Sequence, residues 1–205
     1  TFNSTLYPLS SSHRLINSSS FFKLVENKNL SNRFVFTFES PASFEIKGAI
    51  YHIFVDRFNK SEVKLRVDSR YNSDWETGIP EYQERVGEFL ENNTHFGGSF
   101  TGIENKLDYL TSLGIDAIYL SPVCKAYSNH KYDTGDYSKI DEMFGGERAF
   151  ELFLAEAEKR DIRVILDGVF NHTGSDSIYF NREGRYSSVG AYNSKDSEYY
   201  SWYDF

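Results

Sequence analysis

The fold is decided by residues 103–122, which have the sequence IENKLDYLTSLGIDAIYLSP. Apolar residues recur there at helical spacing, at Ile103, Leu107, Leu110 and Leu113. Gly114 stands where a glycine commonly ends a helix. The apolar run 117–120 then predicts a short buried strand, closed by Ser121 and Pro122. A helix that leads directly into a buried strand is typical of an α/β protein.

The same alternation continues on both sides of this stretch. Residues 49–55, AIYHIFV, are almost continuously apolar and predict a strand covered on both faces. A second amphipathic helix is predicted over residues 149–157, and a third strand begins with residues 162–166. The order strand, helix, strand, helix, strand predicts parallel pairing through helical crossovers. Long loops follow the first two strands, over residues 56–99 and about 123–146, where parallel α/β folds usually carry their sites.

Residues 1–47 follow a different pattern. Phe34, Phe36 and Phe38 alternate as on a half-buried strand, and residues 21–25 are a weaker strand candidate. Two or three strands do not make an independent β-domain. We therefore expect residues 1–47 to be a β-rich appendage packed on the main domain or the remnant of a larger β-module, and residues 48–205 to form the main domain.

Composition excludes several function classes. The 205 residues carry a formal charge of −8, which argues against binding to nucleic acid or to an acidic membrane surface. No apolar run approaches the ~20 residues of a membrane span. The one cysteine, Cys124, excludes an internal disulfide framework and a Cys-rich zinc site. Residues 1–12 lack the pattern of a signal peptide, but this says little about location because the numbering can start inside a longer protein. The location is left open, with a cytoplasmic one slightly favoured over secretion.

The segment after the third strand carries the first candidate site. It contains Asp167, Asn171 and His172 in the sequence DGVFNH. Asp167 and His172 could form an acid/base pair, or the three residues could hold calcium or magnesium through hard oxygen ligands. A structural Asp beside a ligand-binding His is the third interpretation. The spacing alone leaves all three open.

The loop after the second strand carries the second candidate site, in residues 129–137, NHKYDTGDY. An aromatic ring such as Tyr132 can stack on the apolar face of a sugar, and His130 and Asp133 can bond its hydroxyls. A surface loop with chance aromatics is the alternative. Asp56 and Arg57, after the first strand, are interpreted as a partly buried structural ion pair. The sequence contains no glycine-rich nucleotide-binding motif.

Together these segments resemble the α-amylase family of glycoside hydrolases (glycoside hydrolase family 13), and most closely its neopullulanase, cyclomaltodextrinase and pullulanase-like branch. The resemblance covers residues 49–205. Its motifs, in the order of the family, are YHIFVDRF (51–58), FGGSFTGI (96–103), LDYL and LGIDAIYLSP (107–110 and 113–122), SNHKYDT (128–134) and DGVFNH (167–172).

The resemblance implies a (β/α)8 barrel that acts on α-linked glucans. Tyr132 is similar to the family's stacking ring beside the scissile bond, with His130 next to it. His172 is similar to the histidine that bonds the same sugar and supports the transition state. Asp167 is similar to an aspartate that orients neighbouring groups, and residues 198–203 resemble a segment that walls the cleft.

The resemblance also implies a candidate metal site but no required cofactor. Members of this branch often hold calcium in the loop after the first strand, and Asn171 matches a calcium ligand of some members. Oxygen ligands for calcium could come from four residues of that loop, Asn59, Asp68, Asn72 and Asp74. However, the family usually has an acidic residue after the glycine pair, and this chain has Ser99.

A second departure concerns the catalytic acids. The family hydrolyses with retention, which needs two carboxyl groups about 5 Å apart. In the family these acids follow the fourth, fifth and seventh strands, and no Gly-x-Arg-x-Asp segment occurs here. We therefore expect the first three β/α units of an incomplete barrel, with the nucleophile and acid/base in the remainder of the same enzyme. Homodimer formation through an amino-terminal β-module, as in this branch, would fit.

Two other function classes compete with this hypothesis. One is a noncatalytic glucan-binding or structural module that has kept half a barrel. The other is a metal-dependent α/β hydrolase centred on Asp167 and His172. The family's downstream acids would favour the enzyme, whereas activity that depends tightly on a divalent metal would favour the metal-dependent hydrolase.

Overall fold

A computed structural model describes residues 46–62 and 65–205 of the chain. The predicted amino-terminal appendage, residues 1–47, lies outside these residues except for Ile46 and Lys47. Its strands, and the domain boundary at residue 48, therefore stay predictions.

The described elements alternate as the sequence pattern predicts, with additional short elements between them. The strands are β1 (Ala49–Ile53), β2 (Arg70–Tyr71), β3 (Thr94–His95), β4 (Ile115–Leu120), β5 (Cys124–Ala126), β6 (Thr134–Ile140) and β7 (Arg163–Leu166). The α-helices are α1 (Val55–Phe58), α2 (Phe100–Glu104), α3 (Leu107–Ser112) and α4 (Gly146–Glu158). Two short 3₁₀ helices span Glu142–Phe144 and Tyr200–Trp202.

The main sheet has three parallel strands in the order β1-β4-β7. Tyr119 in the central strand pairs with His52 on one side and with Ile165 on the other. The central strand is largely buried, as predicted. The expectation that β1 is covered on both faces is wrong for the described residues, because Ala49, Ile50 and His52 are exposed. The physical reason is that β1 lies at an edge of this sheet.

The core lies between the sheet and helices α2, α3 and α4. Phe100 of α2 is fully buried, and its ring lies 4.9 Å from that of Phe150 and 6.0 Å from that of Phe153 in α4. Ile118 and Leu120 of β4 belong to the same cluster. Because side chains alternate along a strand, Tyr119 between them points to the opposite face of the sheet.

The predicted first helix is divided into α2 and α3. The chain turns at Asn105 and Lys106. The Asn105 N–H donates to the carbonyl of the fourth preceding residue, whereas the Lys106 N–H donates to that of the third, as in a 3₁₀ turn. Ile103, Leu107 and Leu110 are buried, but Leu113 is half exposed and only caps α3. Gly114 then adopts a left-handed conformation, with φ +72°, and ends the helix as predicted.

The serine that departs from the family pattern has a structural role at the turn before α2. Gly97 has φ +86°, and a Cβ on Gly98 would lie 2.0 Å from the carbonyl oxygen of Val55. Ser99 follows as the N-cap of α2, and its Oγ accepts a hydrogen bond from the Gly102 backbone N–H at 3.0 Å. A buried hydroxyl thus satisfies one of the open N–H groups at the start of the helix.

The predicted loop from about 123 to 146 contains regular structure, which corrects that expectation. Strands β5 and β6 form an antiparallel hairpin. Its connection, residues 127–133, carries Tyr132 and is termed the site loop. The sequence did not indicate this hairpin because β5 has three residues and β6 is largely polar.

The carboxyl ends of the three parallel strands lie side by side. The Ser121 N–H donates to the Ile53 carbonyl at 3.0 Å, and the Asp167 N–H donates to the Leu120 carbonyl at 3.0 Å. The segments that follow β1, β4 and β7 therefore meet at one edge of the sheet. None of the described helices is long and apolar enough to cross a membrane.

Candidate functional site

Tyr132 stands at the centre of the residues predicted to bind substrate. It lies in the site loop with 41% of its surface exposed. Its hydroxyl donates a hydrogen bond to Asp167 Oδ2 at 2.8 Å, across from the end of β7. This bond, together with partial burial, raises the pKa of Tyr132 to about 12. The ring is therefore neutral and fixed at its tip, while part of its surface stays open to a ligand.

His172 lies against the same residue. Its Nε2–H donates to the Tyr132 carbonyl at 3.0 Å, so the proton is on Nε2 in this contact. The Tyr137 hydroxyl donates to the His172 carbonyl at 2.7 Å and holds the backbone of this segment. The structure therefore brings Tyr132, Asp167 and His172 together, although 40 residues separate Tyr132 from His172 in the sequence.

His130 and Asp133 organise the site loop from within. His130 Nδ1 accepts a hydrogen bond from the Tyr132 N–H at 3.1 Å. Burial lowers the pKa of His130, the Lys131 charge adds to this and the Asp133 charge opposes it. The ring is thus neutral at pH 7, with Nδ1 free to accept.

Asp133 uses both carboxylate oxygens inside the loop. Oδ2 accepts from the Ser128 N–H at 3.0 Å, and Oδ1 accepts from the Ser128 hydroxyl. These contacts commit the carboxylate to holding the loop. A direct bond from Asp133 to a sugar hydroxyl stays a prediction.

Three residues of the site were missed by the sequence analysis, although they lie within its motifs. Tyr119 shares the Asp167 carboxylate with Tyr132, and partial burial together with that hydrogen bond raises the pKa of Tyr119. His52 packs edge-on against Tyr119, with ring centroids 5.2 Å apart, and its Nε2 lies 2.9 Å from Ser121 Oγ. The alternation of side chains along β1 and β4 was the signal that could have placed His52 and Tyr119 on the face opposite the core.

The Asp56–Arg57 pair is structural, as interpreted from the sequence. Asp56 is buried, and its Oδ2 accepts from Arg57 Nε at 2.8 Å and from the Phe96 N–H at 3.1 Å. The Arg57 guanidinium also stacks on the Phe96 ring at 3.8 Å. Burial by itself would raise the pKa of Asp56, but the nearby His95 and the hydrogen bonds from Arg57 and the Phe96 N–H outweigh it, so the pKa is lowered. The carboxylate ties α1 to the turn before α2.

The predicted calcium ligands have protein partners in this structure. Asp68 forms ion pairs with Arg66 at 3.0 Å and with Arg185 at 2.7 Å. Asn72 Oδ1 accepts from the Asp74 N–H at 2.9 Å. The Asp74 carboxylate in turn accepts from Thr77.

The other two predicted ligands lie elsewhere. Asn59 Nδ2 donates to the Gly102 carbonyl at 2.9 Å, and Asn171 is exposed after β7. Within residues 46–62 and 65–205, no three His, Cys, Asp or Glu side chains group as a metal site. Because two arginines already neutralise Asp68, this donor set does not fit calcium as it stands, and no chemistry below depends on that ion. Calcium binding at these residues stays a prediction.

The Asp68 pairs join three loops. Arg66 Nη2 donates to the Tyr127 carbonyl at 2.7 Å, and Arg185 stacks on the Tyr127 ring at 4.0 Å. Arg185 Nε lies 3.4 Å from Asp176. Charged and aromatic contacts therefore connect the segments after β1, β5 and β7 beside the site loop.

The segment predicted to wall the cleft packs beside the site. Tyr199 and Trp202 contact the Tyr179 ring, at centroid distances of 5.4 and 5.3 Å. The Tyr203 hydroxyl lies 2.8 Å from Thr173 Oγ1, next to His172. Its contact with substrate stays a prediction.

In parallel β/α barrels the functional site lies at the carboxyl ends of the strands, and Tyr132, Asp167 and His172 lie at that edge of this sheet. The sequence matches the family described as alpha amylase, catalytic domain, over residues 52–205. The chain belongs to that family. The family fold is a (β/α)8 barrel, and the described residues form part of such a fold.

Proteins with similar sequences are named as enzymes that are related to one another. An amylopullulanase of Thermoanaerobacterium saccharolyticum is 44% identical over 182 residues, which cover 77% of this chain and 14% of the relative. A cyclomaltodextrinase of Thermoanaerobacter pseudethanolicus is 36% identical over 155 residues, which cover 76% of this chain and 24% of the relative. The chain thus spans about a quarter or less of the length of these relatives.

A solved structure is also similar. The hydrolase of cyclic alpha-maltosyl-(1→6)-maltose from Arthrobacter globiformis, in complex with that compound, aligns with a TM-score of 0.59 and 32% identity. The alignment covers 77% of this chain and 31% of that enzyme.

Proposed function

We propose that this chain is the substrate-binding part of a retaining glycoside hydrolase that acts on α-linked glucans. The three parallel strands would be the first three β/α units of the barrel. The observation that supports this most directly is the hydrogen bond from Tyr132 to Asp167, beside His172, at the carboxyl edge of the sheet. The names of the related enzymes support the glucan class.

The chemistry of the site suits binding. A neutral ring that is fixed at its hydroxyl can stack on the apolar face of a pyranose without losing further rotamer freedom. The imidazole of His172 bonds the backbone carbonyl of Tyr132 and belongs to an exposed residue, so we expect both side chains to reach one sugar. Asp167 orients Tyr132 and Tyr119 through its carboxylate.

Bond cleavage requires other groups. Retention needs a nucleophile and an acid/base about 5 Å apart. Here the Asp133 carboxylate accepts hydrogen bonds from Ser128, and the Asp167 carboxylate accepts from tyrosine hydroxyl groups. Neither carboxylate is therefore placed as a free nucleophile. We propose that both catalytic acids lie in sequence beyond these 205 residues, which lack the family's Gly-x-Arg-x-Asp segment.

The test uses the full-length protein that carries these residues, with maltodextrin and pullulan as substrates. Tyr132→Ala removes the ring, and we expect kcat/KM to fall about tenfold or more, or about 1.4 kcal/mol of transition-state stabilisation. Tyr132→Phe keeps the ring but loses the bond to Asp167, and we expect a smaller loss. Tyr109→Ala, at an exposed tyrosine on α3, is the matched control and should not change kcat/KM.

Two outcomes would overturn the proposal. Glucan binding without hydrolysis by the full-length protein would favour the noncatalytic binding module. Hydrolysis that is insensitive to Tyr132→Ala would remove Tyr132 from the substrate site.

A further inference from the structure

Lys131 is a buried cation directly next to the exposed ring of Tyr132. Its side chain is 0% exposed, and its backbone has φ +63°. A left-handed conformation is uncommon for a residue with a long side chain, and it persists only where the surroundings enforce it. At this position the Lys131 side chain points into the protein interior, and the Tyr132 side chain is partly exposed at the surface.

The ammonium group of Lys131 has specific partners in the interior. Its Nζ donates to Asp141 Oδ2 at 2.7 Å and to the Ala126 carbonyl at 3.3 Å, and it lies 5.1 Å from the centre of the Phe144 ring. Asp141 is 2% exposed. Burial by itself would raise the pKa of Asp141, but the Lys131 charge and the hydrogen bonds that the carboxylate accepts outweigh it and the pKa is lowered.

Asp141 connects the Lys131 ammonium group to β5 and to the 3₁₀ helix that follows β6. Its carboxylate accepts from the Ala126 N–H at 3.1 Å, at the end of β5, and from the Met143 N–H at 2.8 Å, in the 3₁₀ helix Glu142–Phe144. Lys131 is therefore attached to the last residue of β5 and to the residue that follows β6.

The backbone of Lys131 is fixed as well. Its N–H donates to Ser128 Oγ at 3.0 Å, and the next N–H, that of Tyr132, donates to His130 Nδ1 at 3.1 Å. Because Asp141 holds the Lys131 side chain and Ser128 holds its backbone N–H, the direction of the Cα–Cβ bond of Tyr132 is determined. That bond carries the Tyr132 ring.

We infer that Lys131 and Asp141 are positioning residues for glucan hydrolysis, which act through Tyr132 by holding its ring at the angle required for stacking on the sugar. This inference rests on the proposed function. Neither residue touches the substrate, since both are buried. Their effect must therefore disappear when the ring is absent.

The experiment is a mutant cycle in the full-length protein, with kcat/KM on maltodextrin as the measurement. Lys131→Met combined with Asp141→Asn removes both charges, so that no unpaired charge stays buried. We expect kcat/KM to fall about tenfold when Tyr132 is present, because displacements near 1 Å can cost about a hundredfold. In the Tyr132→Ala background we expect the same pair of substitutions to cost less than about twofold, since coupled residues are not additive.

A second variant and a control complete the design. Asp141→Asn alone keeps the cation and its bond to Ala126, and must show the same dependence on Tyr132. Lys159→Met, which removes an exposed ion pair with Glu156 on α4, should not change kcat/KM in either background. Thermal unfolding of every variant identifies those that are folded.

The outcomes separate the two proposals. Equal losses with and without the Tyr132 ring would overturn the positioning role and leave the proposed function intact. If Tyr132→Ala by itself leaves kcat/KM unchanged, the proposed function fails at this residue, and the inference fails with it.

Discussion

The residues of the candidate site are fixed by hydrogen bonds to one another. Tyr132 is fixed at its hydroxyl by Asp167, at its carbonyl by His172 and at its N–H by His130. Each contact removes freedom that a sugar would otherwise have to remove on binding. The arrangement of these residues therefore favours binding of a ligand to an already formed surface.

His172 offers a test of transition-state binding. His172→Ala removes the group proposed to bond the sugar, and we expect kcat to fall of order a hundredfold, as for one hydrogen bond lost from the transition state. KM should change less, because the bond is expected to strengthen in the transition state. Steady-state kinetics of the full-length protein on maltodextrin measure both constants. His172→Gln, which keeps a polar group able to form hydrogen bonds, should recover part of the loss, and a change confined to KM would contradict the assigned role.

His95 is a buried histidine outside the site. It is 1% exposed, and among the described residues neither ring nitrogen has a hydrogen-bond partner. Asp56 Oδ1 lies 3.5 Å from its Nδ1, at ion-pair distance. Burial lowers the pKa of His95 from its ordinary value of 6.5, and the charges of Lys131 and Arg66 add to this while Asp56 opposes it.

A pH dependence of stability follows from this histidine. The unfolded state takes up a proton below pH 6.5 and the folded state does so only at lower pH, so stability is complete above pH 6.5 and falls below it. Urea unfolding of the full-length protein between pH 8 and pH 5 should show this loss. His95→Leu should flatten the profile over that range, whereas His52→Gln, at an exposed histidine, should not. An unchanged profile in His95→Leu would assign the loss to another group.

At the scale of elements, the main sheet could be predicted and its surroundings only in part. The order of β1, β4 and β7 follows from three apolar runs separated by helical periodicity. The exposure of β1 could not be predicted, because apolar composition does not show which strand lies at an edge. The β5–β6 hairpin was missed because its strands are short or polar.

The structure brings together candidate residues that are chemically distinctive, although their roles stay predictions. An aromatic residue, a carboxylate and a histidine after successive strands indicated Tyr132, Asp167 and His172. Lys131 could not be found in this way, because a lysine in a polar loop is usually solvated. Its burial depends on Asp141, which lies beyond the hairpin in sequence.

Helix α2 depends on its cap. Ser99→Ala removes the Oγ that accepts from the Gly102 N–H and also contacts Ser61 Oγ at 2.6 Å. We expect a loss of about 1 kcal/mol in the free energy of unfolding, as for other serine caps. Urea denaturation measures it. Thr101→Ala, at an exposed position in the same helix, is the control, and a Ser99→Ala loss no larger than that of Thr101→Ala would contradict the capping role.

At the scale of the whole molecule, the proposed function places one side of a reaction site in this chain. The groups that we assign to the sugar come from the segments after β4 and β7, and the main sheet of the described residues has three strands where the family fold has eight. A barrel closes only when all of its strands are present. The exposed face of β1 is the kind of surface that further strands would cover.

The final prediction concerns hydrolysis by the 205 residues alone. If the catalytic acids lie elsewhere, this chain expressed by itself should release no reducing sugar from maltodextrin or pullulan, while the full-length protein should release it readily. A soluble and folded sample is the necessary control, and near-ultraviolet circular dichroism of the many tyrosines reports packing. The physical reason is that stacking and hydrogen bonds can hold a glucan, but retention requires a nucleophile and a proton donor on opposite sides of the bond. Robust turnover by the isolated chain, verified by intact mass, would place both acids within these residues and contradict the division of roles proposed for Asp167 and Asp133.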